Sequence, residues 1–165
     1  MTVGDRTPVA GRPGMEGYGI SKSLEGLMAW EWATEQIAWS RNYWIASTRP
    51  DGRPHAMPVW GVWVDDALMF STGGTSRKGR NIAARPAIVA HLESGDDAVV
   101  LEGVAERVTD AGALARFVEA YFAKYQFRPD TSDGTSPVYA LRPAVAFGWL
   151  EKDYPKTATR WVFGD

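Results

Sequence analysis

Apolar positions along this chain follow two spacings, and the spacings alternate. Within 23–40, Leu27, Trp30, Ala33 and Ile37 share one face at helical intervals, with Glu31 and Glu35 off it. That pattern predicts an amphipathic helix packed on a sheet. Tyr43–Thr48 is rich in aromatic and β-branched residues and predicts a strand, and Arg49-Pro50-Asp51-Gly52 predicts the turn after it. From 53 to 64 both alternating sets are apolar: Met57, Val59, Gly61 and Trp63 face one way, Pro58, Trp60, Val62 and Val64 the other. The expectation is one strand buried on both sides, with Pro58 marking a bulge or an edge.

Asp65-Asp66 predicts a tight turn into a strand over 67–72, and a short helix stops before Pro86. Two strands, 86–93 and 98–108, flank a turn at 94–97. Asp110 caps a helix whose stripe is Leu114, Phe117, Val118, Tyr121, Phe122 and Tyr125. A polar loop over 126–137 leads to a strand over 138–150, irregular at Arg142-Pro143, and then to a short strand over 157–163. Strands outnumber helices and adjoin each other, so the fold class is mostly β (α+β), antiparallel, with flanking helices. A barrel that hides its edges by closing is the expected solution. One domain is expected over 23–165, preceded by a loose arm over 1–22 rich in Gly, Pro and charge.

Composition narrows the chemistry. The 165 residues suit one sizeable core, and a net charge of -2 argues against a general nucleic-acid role. There is no cysteine, which excludes disulfides and thiolate chemistry. No apolar run approaches the roughly 18 residues of a membrane span, and no signal-peptide core precedes the domain. A cytoplasmic protein is the expectation. His55 and His91 lack any metal-ligand spacing, so no metal site is expected. No nucleophile elbow or paired carboxylates stand out, which fits a protein whose cofactor carries the chemistry. Eight Trp are enough to fill a core and also line a flat ligand or an interface.

The stretch from Phe70 to Asn81 departs from local rules. It predicts a strand end, a Gly73-Gly74 turn, an N-cap at Thr75 or Ser76, and a helix start. Arg77, Lys78 and Arg80 sit at the positive end of the helix dipole, where cations are disfavoured. Free amides, hydroxyls and cations together suit a phosphate, although a solvated charged face has the same composition. The pattern is neither a P-loop nor a dinucleotide fingerprint.

The segments Tyr43-Trp44-Ile45-Ala46-Ser47, Asp51-Gly52-Arg53-Pro54-His55-Ala56-Met57-Pro58-Val59-Trp60-Gly61-Val62-Trp63, Phe70-Ser71-Thr72 and Ser76-Arg77-Lys78-Gly79-Arg80-Asn81-Ile82 resemble the pyridoxamine 5'-phosphate oxidase-like split β-barrel superfamily. Pro58-Val59-Trp60-Gly61-Val62-Trp63, Phe147-Gly148-Trp149 and Thr159-Arg160-Trp161-Val162-Phe163 are similar to its actinobacterial flavin/deazaflavin oxidoreductases, the B group. The resemblance implies a homodimer of six-stranded antiparallel split barrels, of the FMN-binding type, with cofactor between subunits. It implies that the strand carrying His55, Met57, Pro58, Val59 and Trp60 runs along the cofactor ring. Ser71, Thr72, Ser76, Arg77 and Lys78 would bind its ribityl phosphate with Asn81 behind them, and Arg160 and Trp161 of a second copy would close the site. The lysine-ended motif of the pyridoxamine phosphate oxidase is absent at Met57-Pro58-Val59-Trp60.

The reading that follows is an oxidoreductase using reduced coenzyme F420, a deazaflavin, to transfer a hydride to an unsaturated or quinone-like small molecule. An FMN-dependent oxidoreductase and a non-catalytic binder of deazaflavin, flavin or heme are the alternatives. Arg49, Arg53, Arg80 and Arg85 are candidates for the F420 tail, and Trp60, Trp63, Trp149 and Trp161 for a flat wall. No catalytic residue is assigned; solvent, His55 or a tyrosine would supply the proton.

Overall fold

A computed structural model describes residues 6–164. Its elements are β1 (Val9–Gly11), α1 (Trp30–Trp39), β2 (Tyr43–Thr48), β3 (Pro54–Val59), β4 (Gly61–Val64), β5 (Ala67–Ser71), α2 (Arg77–Ala84), β6 (Ala87–His91), β7 (Asp97–Arg107), α3 (Ala111–Tyr125), β8 (Val138–Leu150), α4 (Tyr154–Thr157) and β9 (Thr159–Val162). Every strand pairing is antiparallel. The nine-stranded sheet runs β1-β9-β8-β7-β6-β2-β3, with β5 pairing β8 and β4 pairing β5 off that path.

β8 joins the two halves. Val138 to Leu141 pair with β5, and Val145 to Gly148 pair with β9. Between them the register against β7 slips: Gly103 opposes Pro143 and Glu102 opposes Val145, so Ala144 is the extra residue of a bulge. Pro143 has no N–H for the ladder there. Gly103 is required at this point, because a Cβ on it would lie 2.6 Å from the Arg142 carbonyl oxygen. The irregularity expected at Arg142-Pro143 is therefore where the sheet splits.

Alternation along the central strands explains their two apolar faces. Leu68, Phe70, Tyr139 and Leu141 enter a core with Ala33 and Ile37 of α1, Tyr43, Ile45 and Trp161. Ala67, Met69, Val138 and Ala140 enter a second core with Phe117 and Tyr121 of α3. The mostly antiparallel sheet with flanking helices is of the split-barrel type.

Several local expectations change. The sheet does not close: β3 and β4, separated only by Trp60, pair with β2 and β5 respectively. The single strand expected over 53–64 is thus two. Nor is β3 buried on both sides; it is the end strand, with Ala56 and Pro58 exposed and Met57 51% exposed. Pro58 fits there because an edge strand has N–H positions outside the ladder.

The helix expected from 23 begins only at Trp30. Upstream, the Arg12 guanidinium donates to the carbonyls of Ser23 and Glu25, and Thr159 Oγ1 accepts from the Met28 amide. These backbone groups are engaged elsewhere and are not free for helical bonds. Arg12 also reaches the carbonyls of Lys156 and Ala158. The segment read as a loose arm supplies β1, which pairs with β9; residues 1–5 of that segment lie outside the described residues.

Candidate functional site

The link from β5 to α2 is built by hydroxyls and close backbone packing. Ser76 is the N-cap, its Oγ accepting from the Gly79 amide at 3.0 Å, a contact that stabilises by about 1 kcal/mol. Thr72 Oγ1 lies 3.3 Å from Ser76 Oγ, and Ser71 Oγ donates to the Ser136 carbonyl. The Gly74 amide donates to the Thr135 carbonyl, which ties this loop to the segment before β8. A Cβ on Gly79 would fall 2.2 Å from the Gly73 carbonyl oxygen, so only glycine lets the loop fold onto the helix. The first turn engages the amides of Gly79 and Arg80 with Ser76. Those of Arg77 and Lys78 are donors the helix itself does not use.

Cations gather beside this helix start. Lys78 is only 9% exposed and has no hydrogen bond or ion pair among the described residues; burial pushes its pKa down. Arg77 next to it is exposed. Across from them stands the β2–β3 hairpin, whose turn is closed by the Gly52 amide on the Arg49 carbonyl, with Gly52 at φ 87°. His55 pairs with Ser47 in the ladder. Burial holds the His55 imidazole below its usual range, and the charges of Arg49, Lys78 and Arg77 add to that.

Three buried side-chain polar atoms lack a partner among the described residues: Arg49 Nε, His55 Nδ1 and Asn81 Oδ1. All belong to this corner. His55 is the ladder partner of Ser47, Asn81 Nδ2 donates to Ser47 Oγ at 3.1 Å, and Arg49 follows two residues after Ser47. Buried polar groups are almost always paired, so a cluster of unpaired ones beside an unpaired lysine marks this corner as a candidate ligand site. The donors there, Lys78, Arg77 and Arg49, suit an anion with several oxygens, whereas Asn81 Oδ1 is an acceptor and can meet only a donor.

A groove of about 390 Å³ adjoins the corner and is lined by Asn42, Pro58, Val59, Trp60, Ser71, Lys78 and Tyr121. Five of the expected residues therefore line one surface: Pro58, Val59, Trp60, Ser71 and Lys78. Trp60 stacks face to face on Tyr125, with centroids 4.6 Å apart and planes 1° from parallel. The Arg41 guanidinium lies over the Trp60 ring at 5.1 Å. A wider concavity of about 540 Å³ lies on the sheet face over β2, β6, β7 and β8. Its lining is mainly apolar, with Glu102 as its charged side chain, so it does not suit an anion.

Other expected residues lie elsewhere. Trp161 is 1% exposed, donates its Nε1–H to the Met28 carbonyl and packs edge-on to Trp30. The Trp161 side chain is thus packed into the core of its own chain. Arg160 lies beside it on β9, paired with Gly11 and Phe147. Trp63 packs against the α1 core, and Trp149 packs edge-on to Tyr154. His91 stacks with Trp44, and its Nδ1 lies 2.7 Å from the Leu92 carbonyl oxygen. Of the tail candidates, Arg53 is paired to Asp51, Arg80 donates to the Thr75 carbonyl and Arg85 to that of Pro50. Arg49 joins the buried corner instead.

Sequence reasoning gave Tyr121 and Tyr125 only a packing role and passed over Arg41, Asn42 and Lys124. The available signal was the polar tip of tyrosine at two positions four apart on one helix face. Among the described residues, no three His, Asp or Glu side chains come together to hold a metal, and no helix is long and apolar enough to cross a membrane.

Comparison with known proteins agrees with the fold. A structure of a conserved hypothetical protein from Mycobacterium tuberculosis superposes with a TM-score of 0.67 at 22% identity, covering 80% of this chain and 91% of that one. An F420 reductase superposes at 0.55 with 22% identity, covering 68% of this chain and 94% of that one. In sequence, the chain is 36% identical over 124 residues to the pyridoxine/pyridoxamine 5'-phosphate oxidase of Azorhizobium caulinodans, a match covering 73% of this chain and 55% of that protein. The chain thus spans about half the length of that curated relative. Residues 31–149 match the family model for pyridoxamine 5'-phosphate oxidase, and with that identity the chain belongs to the pyridoxamine 5'-phosphate oxidase family.

Proposed function

We propose that the groove beside β3 holds a tricyclic redox cofactor by its phosphate, and that the protein is an F420-dependent oxidoreductase acting on an unsaturated or quinone-like small molecule. One observation carries this reading. The unpaired Lys78, with Arg49 and Arg77 beside His55, forms a cationic corner, and that corner adjoins a groove walled by Pro58, Val59 and Trp60.

In this reading Lys78, Arg77 and Arg49 neutralise the phosphate, Thr72 and Ser76 offer it a hydroxyl, and Ser71 does so on leaving the Ser136 carbonyl. Val59 and Trp60, with Met57, present an apolar surface to the ring. His55, whose imidazole is held below its usual range by burial and the neighbouring cations, offers a hydrogen bond from the same corner. When bound, the reduced deazaflavin supplies the hydride. The chain's own contribution is to orient the reactants and keep water away from the ring face. Arg53, Arg80 and Arg85 are exposed and carry the charge an anionic tail would need.

A homodimer completes the reading. The apolar concavity over β2, β6, β7 and β8, with Val104 51% exposed, suits a second copy, whose Arg160 would then approach the groove. A cytoplasmic location accompanies a soluble cofactor of this kind.

Kinship with an oxidase of pyridoxine phosphates favours a second reading, an FMN-dependent enzyme using the same corner. Titration of the purified protein with F420 and with flavin mononucleotide separates the two. Tight F420 binding with oxidation of reduced F420 by a quinone or enone is expected. Tight flavin binding without F420 binding replaces the first reading by the second, and binding of neither removes both.

A further inference from the structure

Trp60 occupies an awkward place. It links β3 to β4, where the chain passes from one half of the split sheet to the other. The backbone just after it, at Gly61, opposes Phe70 of β5 and also takes side-chain partners from α3. The Gly61 amide donates to the Tyr125 hydroxyl at 3.0 Å, and the Gly61 carbonyl accepts from Lys124 Nζ at 3.1 Å. The Tyr125 hydroxyl lies 2.7 Å from the Arg41 carbonyl oxygen and 2.8 Å from that of Gly61. A phenol has one proton, so the consistent assignment gives it to Arg41 and leaves Gly61 to Lys124. Lys124 Nζ also donates to the Tyr43 hydroxyl at 2.6 Å, which in turn donates to the Ile37 carbonyl. The ring of Tyr125 backs Trp60 across 4.6 Å.

We propose that Tyr125 and Lys124 are positioning residues: the last turn of α3 clamps the β3–β4 break and thereby fixes the face that Trp60 offers to the groove. The clamp is a property of the free protein. It rests on the reading above only for what the Trp60 face receives. Two further details fit. A Cβ on Gly61 would lie 3.0 Å from the Met69 carbonyl oxygen and 3.3 Å from Tyr43 Cδ2, so the backbone is held on its other side as well. Burial, with the neighbouring Arg41 charge, lowers the Lys124 pKa to about 8, so Nζ is withdrawn from solvent at the place where the Tyr43 hydroxyl and the Gly61 carbonyl meet it.

The test begins without any cofactor. Amide hydrogen exchange at Gly61 and the indole resonance of Trp60, identified by its loss in Trp60→Phe, are read in the wild type, Tyr125→Phe and Lys124→Met. Tyr125→Phe keeps the stacked ring and removes the hydroxyl. At least a tenfold loss of Gly61 protection and a displaced Trp60 resonance are expected, with the overall unfolding transition retained. Unchanged protection and an unmoved resonance in both variants would overturn the clamp. A second arm compares inorganic phosphate with flavin mononucleotide and F420. The ring-bearing ligand that the wild type binds should weaken by about tenfold in Tyr125→Phe while phosphate is unaffected. Equal loss for both would overturn the assignment of the effect to Trp60. Failure of the wild type to bind either ring would instead remove the proposed function and leave the exchange result to decide the clamp.

Discussion

Two aromatic clusters in this protein use the same residue types toward opposite ends. In the first, Trp30 meets Trp161 at 5.4 Å and 64°, Phe163 at 4.9 Å and 77°, and Trp63 at 6.1 Å and 70°, all edge to face. Trp161 has its N–H satisfied, and a Cβ on Gly148 would come within 2.9 Å of its ring. In the second, Trp60 lies parallel to Tyr125, carries the Arg41 guanidinium on its ring and remains 38% exposed along a groove. The first cluster packs around a buried Trp161 whose N–H is already used. The second is held from behind and open in front, which is what a wall for a flat ligand requires. Count and spacing of tryptophans do not separate these roles; the partner of each indole does.

The contrast can be broken by substitution. The largest effect is expected for Trp161→Ala, which empties a sealed core and should cost about 3–5 kcal/mol of stability in urea unfolding. A loss below about 1 kcal/mol would show the first cluster to be replaceable. Next comes Lys78→Ala. It should weaken a phosphate-bearing ligand by about 1.5–3 kcal/mol with little loss of fold, measured by calorimetric titration. Arg77→Ala should act in the same direction, and unchanged affinity in both would mean these side chains serve only solvent.

Trp60→Ala should cost stability only on the scale of one aromatic pair, about 0.5–1.5 kcal/mol, while weakening ring-bearing ligands. A stability loss matching that of Trp161→Ala would erase the distinction between the clusters.

A further effect is in pH. Lys124 titrates near 8 in the folded protein against 10.5 when unexposed to such burial, so above pH 8 the unfolded chain binds the extra proton. Stability should therefore rise between pH 8 and about 10. Lys78, also depressed by burial, acts with the same sign. Tyr43, pushed far above its usual range chiefly by burial and further by Tyr125, reverses the trend once unfolded tyrosines ionise near pH 10. Denaturant melts across that range should show the rise in the wild type and a smaller one in Lys124→Met.

Much of the fold is legible in the pattern of the chain. β2 and β8 have the boundaries their apolar runs predict, and the Asp65-Asp66 turn has both residues at positive φ, as a two-residue hairpin needs. Ser76 and Asp110 cap their helices through the hydroxyl and carboxylate that marked them. What misleads is long-range. An apolar strand reads the same whether a core or an open edge receives it, so β3 was expected inside. Arg12 captures carbonyls of Ser23 and Glu25 from 11 and 13 residues away, and no local propensity announces that. At the candidate site, the cations of α2 stand out because they oppose the helix dipole. Arg49 and Tyr121 do not, because only folding brings them to the corner and the groove.

The position of a bound phosphate tests the central claim most directly. In a crystal structure of the protein with F420 or flavin mononucleotide, that phosphate should lie among Arg49, His55, Arg77 and Lys78, with the ring along β3 against Trp60. A ring bound away from β3, with no phosphate at that corner, would contradict the account.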